Sequence, residues 1–208
     1  MKKAFIYFTV ASLFMVSSIK AQESSVGVKG GVNLSTLSID DNNDKNMKIG
    51  FNVGVYNKIS LTESFAIQPE LLYSRQGIKV EYDGVADGET KFNLNYINVP
   101  VKLVFNLSED FEFQLGPYVG YLINANLKTD ADIFGEFEVN SEDDVDRKNF
   151  KSLDYGLTAG LGFDLDPLII GLNYNLGLCQ VAKDDEFSYD MLGDAKNRVI
   201  QISVGLKF

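Results

Sequence analysis

The side chains whose types and spacing could support chemistry are Lys29, Glu70, Lys102 and Gln114. Each lies on the polar side of a stretch in which polar and apolar residues alternate. Glu70 falls five residues past the start of its stretch at Phe65, and Lys102 three residues before Phe105 in the next one. Counted from the end where short links join the stretches, the two lie at similar depth. Gln114 is close by on the following stretch, and Lys29 is within reach across a narrow enclosure. A carboxylate and an ammonium taken out of water must pair, because either one alone carries a heavy desolvation cost. Such a cluster can be a structural plug of ion pairs or a relay for protons or ions, and the plug is the simpler expectation.

Other chemistry is excluded by composition. The chain has no histidine, which removes Ser-His-Asp and Cys-His nucleophiles and any histidine-dependent hydrolase or acyltransferase. Ser-Lys chemistry stays formally open, but nothing places a serine near a lysine beyond ordinary composition. Cys179 is the one cysteine and has no activating neighbour, so it is expected to pack rather than react. Gly27-Val28-Lys29-Gly30-Gly31 lacks the spacing and the following helix of a phosphate loop. Asp40-Asp41-Asn42-Asn43-Asp44 offers alternate oxygens, yet Lys45 stands where a calcium loop needs glycine and Phe51 where it needs glutamate. Glu142-Asp143-Asp144 and Asp184-Asp185-Glu186 are similar acid runs, expected to be solvated surface, with weak binding of divalent cations as the alternative. No catalytic residue, cofactor site or metal site is expected, and the chain reads as no enzyme.

Met1-Lys2-Lys3, a mostly apolar run from Ala4 to Val16 and a small residue at Ala21 form the pattern of a secretory signal peptide. Cleavage is expected after Ala21, leaving residues 22–208 as one domain. The formal charge is −10, and losing Lys2, Lys3 and Lys20 makes the remainder more acidic still. A nucleic-acid partner is therefore not expected, since it needs a basic footprint. Beyond the leader no apolar run approaches the roughly 18–20 residues of a membrane helix.

What must position the polar residues is a set of strands, because alternation sends successive side chains to opposite faces. Eight are expected: 24–37, 49–60, 65–80, 92–107, 111–127, 152–165, 168–180 and 197–208. In the last, Ile200, Ile202, Val204, Leu206 and Phe208 oppose Gln201, Ser203, Gly205 and Lys207. The links alternate in length. Leu61–Ser64, Ser108–Asp110 and Asp166-Pro167 are short; 38–48, 81–91, 128–150 and 182–196 are long and hold 20 of the 29 acidic residues. Short turns at one end and long loops at the other are the habit of transmembrane barrels.

A soluble carrier would turn its apolar face inward around a ligand, whereas a membrane barrel turns it outward. The aromatic residues decide between them. Phe65, Phe105, Phe111, Phe163 and Phe208 lie on the apolar face near the short turns; Tyr73, Tyr121, Tyr155 and Tyr174 lie on it nearer the long loops. Two such rows suit the two interfaces of a bilayer. Pro69, Pro100 and Pro117 fall inside strands, and a bulge or kink is expected at one or more of them.

The segments IQPELLYSRQG (67–77), YINVPVKL (96–103), GPYVGYLI (116–123) and VIQISVGLKF (199–208) resemble the PorT-like outer-membrane barrels of Bacteroidota, the "porin family" or OmpX-like small barrels, over essentially the whole chain after the leader. The resemblance implies a Gram-negative outer-membrane protein, linked in some relatives to protein secretion and gliding. Val204, Leu206 and Phe208 resemble the terminal assembly signal of such barrels, which implies recognition by the barrel-assembly machinery. The combined expectation is an all-β, eight-stranded, antiparallel up-and-down transmembrane barrel with both termini in the periplasm. Its expected role is structural or interactive at the cell surface, with outer-membrane lipids and a surface or secretion-system protein as partners. The alternatives are a narrow porin-like channel and a soluble exported ligand carrier.

Overall fold

The structure, a computed structural model, describes residues 24–38, 45–82, 86–133, 137–144, 149–183, 189 and 193–208. The expected leader and the acid runs at 40–44 and 184–186 lie outside them. The strands are β1 (Ser24–Ser38), β2 (Lys45–Asn46), β3 (Lys48–Thr62), β4 (Phe65–Tyr82), β5 (Ala86–Asn106), β6 (Phe111–Ile133), β7 (Phe137–Asp144), β8 (Leu153–Leu165), β9 (Leu168–Gln180) and β10 (Lys196–Lys207). Eight of them close a ring in which β1, β3, β4, β5, β6, β8, β9 and β10 pair in turn, and β10 returns to β1. Every pairing is antiparallel. β2 adds to β4, and β7 to β6.

Following paired residues from Ser24 through Ile59, Ile67, Leu103, Leu115, Ala159, Tyr174 and Ile200 leads back to β1 at Leu34, ten residues beyond the start. Eight strands with that stagger enclose a space only wide enough for side chains to fill.

The outer surface carries Val28, Val53, Leu103, Leu161, Leu172 and Val204, all exposed, while their neighbours one residue along are turned inward. That orientation overturns the soluble-carrier alternative, because the apolar face meets the surroundings and the polar face does not. In the lower aromatic row Phe65 and Phe105 have ring centroids 5.4 Å apart, Phe105 and Phe113 6.3 Å, and Phe111 and Phe163 5.0 Å. Tyr121, Tyr155 and Tyr174 are exposed in the upper row, where Phe51 packs at 5.7 Å from Tyr73. From Phe65 to Tyr73 along a tilted strand is about 20 Å of membrane normal, close to the apolar band of about 25 Å in such barrels.

Two expectations need correction. The segments 81–91 and 128–150 are not simply loops. β4 and β5 stay paired to Tyr82↔Gly88, β6 runs on to Ile133, and β7 folds back along it to Asp144. Period-two hydropathy vanishes there because both faces are polar, while the backbone ladder needs only a partner strand. A strand crosses a bilayer in about 9–11 residues. The 21 residues of β5 and 23 of β6 therefore project well past the upper aromatic row.

The second correction concerns the bulge expected at the prolines. Register shifts occur at Ser60/Thr62, Asn95/Tyr96 and Lys196/Arg198, not at Pro69, Pro100 or Pro117. Around the prolines paired residues stop and resume in unchanged register: Tyr56↔Glu70 then Ile59↔Ile67, Pro69↔Val101 then Leu72↔Asn98, and Pro100↔Tyr118 then Leu103↔Leu115. Proline removes a donor but keeps an extended φ, so the ladder loses bonds while the two-faced side-chain pattern holds the register.

Candidate functional site: the filled lumen

The inward face carries the candidate chemistry. Glu70 on β4 is 3% exposed and accepts from Lys29 of β1 at both oxygens, 3.0 and 3.1 Å. Lys102 on β5, 1% exposed, lies 2.9 Å from Glu70 Oε1, and Gln68 donates to the same oxygen at 2.7 Å. Lys102 also donates to Gln114 Oε1 at 3.0 Å and, across the lumen, to Asn173 Oδ1 of β9 at 3.1 Å. The structure thus brings Lys29, Glu70, Lys102 and Gln114 into one cluster. One carboxylate is shared by two ammonium groups, which is the arrangement that offsets the cost of burying all three.

The cluster continues toward the short-turn end through residues that the sequence reading leaves aside. Gln114 donates to Glu112, whose other oxygen takes Lys58 from β3, on the far side of β4 and β5. Lys58 lies 3.6 Å from Asp164, which Lys207 also contacts at 3.0 Å, and Lys207 reaches Asp166 at 3.1 Å. Four lysines and four carboxylates therefore run in series from the middle of the lumen to its mouth. Lys58 and Glu112 share the inward parity that marks Glu70 and Lys102, so the signal exists. Pairing across the lumen between strands that are not neighbours needs the closed ring to be seen.

Among the described residues little space is left around this cluster. Among Lys29, Tyr56, Gln68, Gln114 and Asn173 remains a cavity of about 20 Å³, room for about one water. Gly27 contributes to the filling: a Cβ there would strike the Tyr56 ring and the Leu206 carbonyl. At the short-turn mouth the lumen widens into a basin of about 720 Å³ whose lining includes Lys58, Glu112, Asp164 and Lys207.

Above the ion pairs most lumen hydrogen bonds join neutral groups, and the buried ammonium of Lys48 donates to the Gln76 carbonyl at 3.3 Å. Asn33 donates to Ser74 Oγ at 2.9 Å and to the carbonyls of Phe51 and Arg75 at 3.0 Å, and accepts from Asn52 at 2.7 Å. Gly77, at φ +143°, occupies a backbone region that favours glycine, and its N–H donates to Ser35 Oγ at 2.9 Å. Asp154 is buried like Glu70 and Glu112, but it is held by neutral donors: Tyr118 OH at 3.1 Å and Asn197 Nδ2 at 2.9 Å. Its Oδ1 has no hydrogen-bond partner among the described residues.

Higher still the lumen is apolar. Leu37, Ile78, Phe92, Leu94 and Leu122 pack with Phe150, Val181 and Ala195 from the segments between strands. The bulge at Asn95/Tyr96 lies at this transition, and the bridge Phe150↔Ala182 ties the connecting segments over it. Cys179 is free and half-buried on β9. Val204, Leu206 and Phe208 stand outward at the seam with β1, where Phe208 N donates to Val26 O at 2.8 Å.

A family model described as "Outer membrane protein beta-barrel domain" matches residues 20–183. The chain is similar to the crystal structure of Ail, the attachment invasion locus protein of Yersinia pestis, with 17% identity, 89% of this chain and 99% of that chain covered and a TM-score of 0.48. It is also similar to Neisserial surface protein A (15% identity, 89% and 97% covered, TM-score 0.45) and to the N-terminal β-barrel domain of Pseudomonas aeruginosa OprF (11%, 90% and 100%, TM-score 0.39). No curated protein matches the chain.

Proposed function

The chain belongs to the outer membrane protein β-barrel family, and from that premise we propose that it is a non-enzymatic, non-conducting surface barrel that presents an extended sheet to a protein partner. The observation that carries this reading is the filled lumen: serial ion pairs below, a one-water cavity, and apolar packing above. A pore would need a continuous wet path, which this packing interrupts twice. Binding is assigned instead to β4–β7, which extend beyond the upper aromatic row in a region rich in acids. The PorT-like motifs make a secretion-system or surface protein the partner class. The leader 1–21 directs export, and the even number of crossing strands keeps both termini in the periplasm.

Swelling of vesicles carrying the purified barrel tests this reading. With a small neutral sugar the rate should match protein-free vesicles, and swelling like that of a porin control would favour the narrow-channel reading. Protease added to intact cells should cut within 128–150; cleavage at Leu61–Ser64 instead would invert the topology.

A further inference from the structure

On the outward face, register places three lysines side by side: Lys79↔Lys91 between β4 and β5, and Lys91↔Lys128 between β5 and β6. Like charges directly opposed across strands repel, and in a chain with a net charge of −10 a row of cations is not what composition alone would produce. Arg75 lies four residues below Lys79 on the same strand face. One rung further from the membrane the register turns acidic, at Glu81↔Glu89 and Glu89↔Asp130, and Lys128 pairs with Glu142 of β7. Toward the membrane the rungs are Gly77↔Asn93↔Asn126 and Arg75↔Asn95↔Asn124, followed by Tyr73↔Ile97↔Tyr121. The charges are therefore sorted by depth: aromatic, amide and arginine, lysine, acid.

The depth matches a lipid's polar layer. Two to six residues above Tyr73, at about 3.3 Å each on a tilted strand, put Arg75 and the lysines about 5–15 Å above the aromatic row. The same residues form one wall of a groove of about 500 Å³. The other wall is mainly apolar: Met47 just before β3, and Ile49 (73% exposed) and Phe51 within it, with Lys48 between them also in the lining. A cationic wall facing an apolar one, at the edge of the bilayer, fits an amphipathic anion. Lys79, Lys91 and Lys128 already make contacts within the protein, so a ligand would join a charge network rather than meet bare ammonium groups.

We propose that Arg75, Lys79, Lys91 and Lys128, with Met47, Ile49 and Phe51, form a binding site for the phosphate of a phosphorylated glycolipid in the outer leaflet. The site rests on the outer-membrane reading but not on the closed lumen. Lysines supply charge to a phosphate and arginine adds a planar, bidentate donor, while the apolar wall takes the first segment of an acyl chain.

Native mass spectrometry of the full barrel in detergent, with a bisphosphorylated diglucosamine lipid as probe, tests the site. The wild type should retain the lipid. The triple variant Lys79→Gln/Lys91→Gln/Lys128→Gln should bind about tenfold or more weakly, the scale expected when several charge-assisted contacts are lost. The triple Lys→Arg variant should bind as well as the wild type. Phosphatase-treated lipid should lose affinity in the wild type to the level of the Gln variant, and inorganic phosphate should not compete at equal concentration. Should the Gln triple fail to fold, Arg75→Gln alone should still weaken retention. Equal binding by wild type and folded Gln variants, or indifference to the lipid's phosphates, would overturn the proposal. So would full competition by inorganic phosphate. A barrel that fractionates with the outer membrane yet behaves so would refute this site alone.

Discussion

The lower and upper halves of the lumen solve the same problem in opposite ways. Below, Glu70 is buried against two ammonium groups, and each further charge toward the mouth finds an opposite partner. Above, Asp154 is buried with neutral donors and lies under an apolar layer of Leu94, Phe92 and Leu122. Burial of charge is offset in the first case by opposite charges, and in the second by hydrogen bonds from neutral donors. Fullness, not polarity, is the property that the two halves share.

The sharpest way to break the comparison is to remove the shared carboxylate. Glu70→Gln leaves Lys29 and Lys102 facing each other without their anion and should destabilise the barrel by about 3–5 kcal/mol, read by urea unfolding in detergent. Adding Lys102→Met to it should recover part of that loss, and strictly additive effects in the cycle would show that the two do not interact. In the upper half, Leu122→Ala should cost about 2–4 kcal/mol through the cavity it leaves, with no dependence on salt. At the mouth, Lys207→Gln breaks ion pairs to Asp164 and to the exposed Asp166, so the expected loss is about 1 kcal/mol or less and shrinks in high salt. Smallest of all is Asp154→Asn. An amide oxygen still accepts from Tyr118 and Asn197, and a buried charge is removed, so stability should change by less than about 1 kcal/mol, in either direction. A large loss at Asp154 would mean that the upper lumen also relies on charge pairing.

Much of this was legible before the fold. Period-two alternation marks the eight crossing strands and sorts inward from outward residues, because a bilayer and a packed lumen impose opposite demands on alternate positions. Depth counting along β4 and β5 sets Glu70 level with Lys102 and near Gln114. Three things are not written in that pattern. Pairing between Lys58 and Glu112 requires closure, since their strands are separated by two others. The extension of β5 and β6 has no hydropathy period to reveal it. The apolar layer draws on Phe150 and Val181, which carry no strand signal, and on Phe92 and Leu94, apolar residues that share the inward parity of the polar Asn98 and Lys102. Likewise Lys79, Lys91 and Lys128 are far apart along the chain, and only register makes them neighbours. The prolines teach the converse: Pro69, Pro100 and Pro117 look disruptive one by one, yet a closed, two-faced ring absorbs each as missing hydrogen bonds without a slip.

Single-channel recording of the purified wild-type barrel in a planar lipid bilayer tests the central claim most directly. Insertion should be verified by heat-dependent gel migration of the recovered protein, so that silence is not failure to insert. A closed lumen should give no discrete current steps at moderate voltage, because the ion-pair series and the apolar layer would each block the path. Stable, reproducible steps from inserted wild-type protein would contradict it.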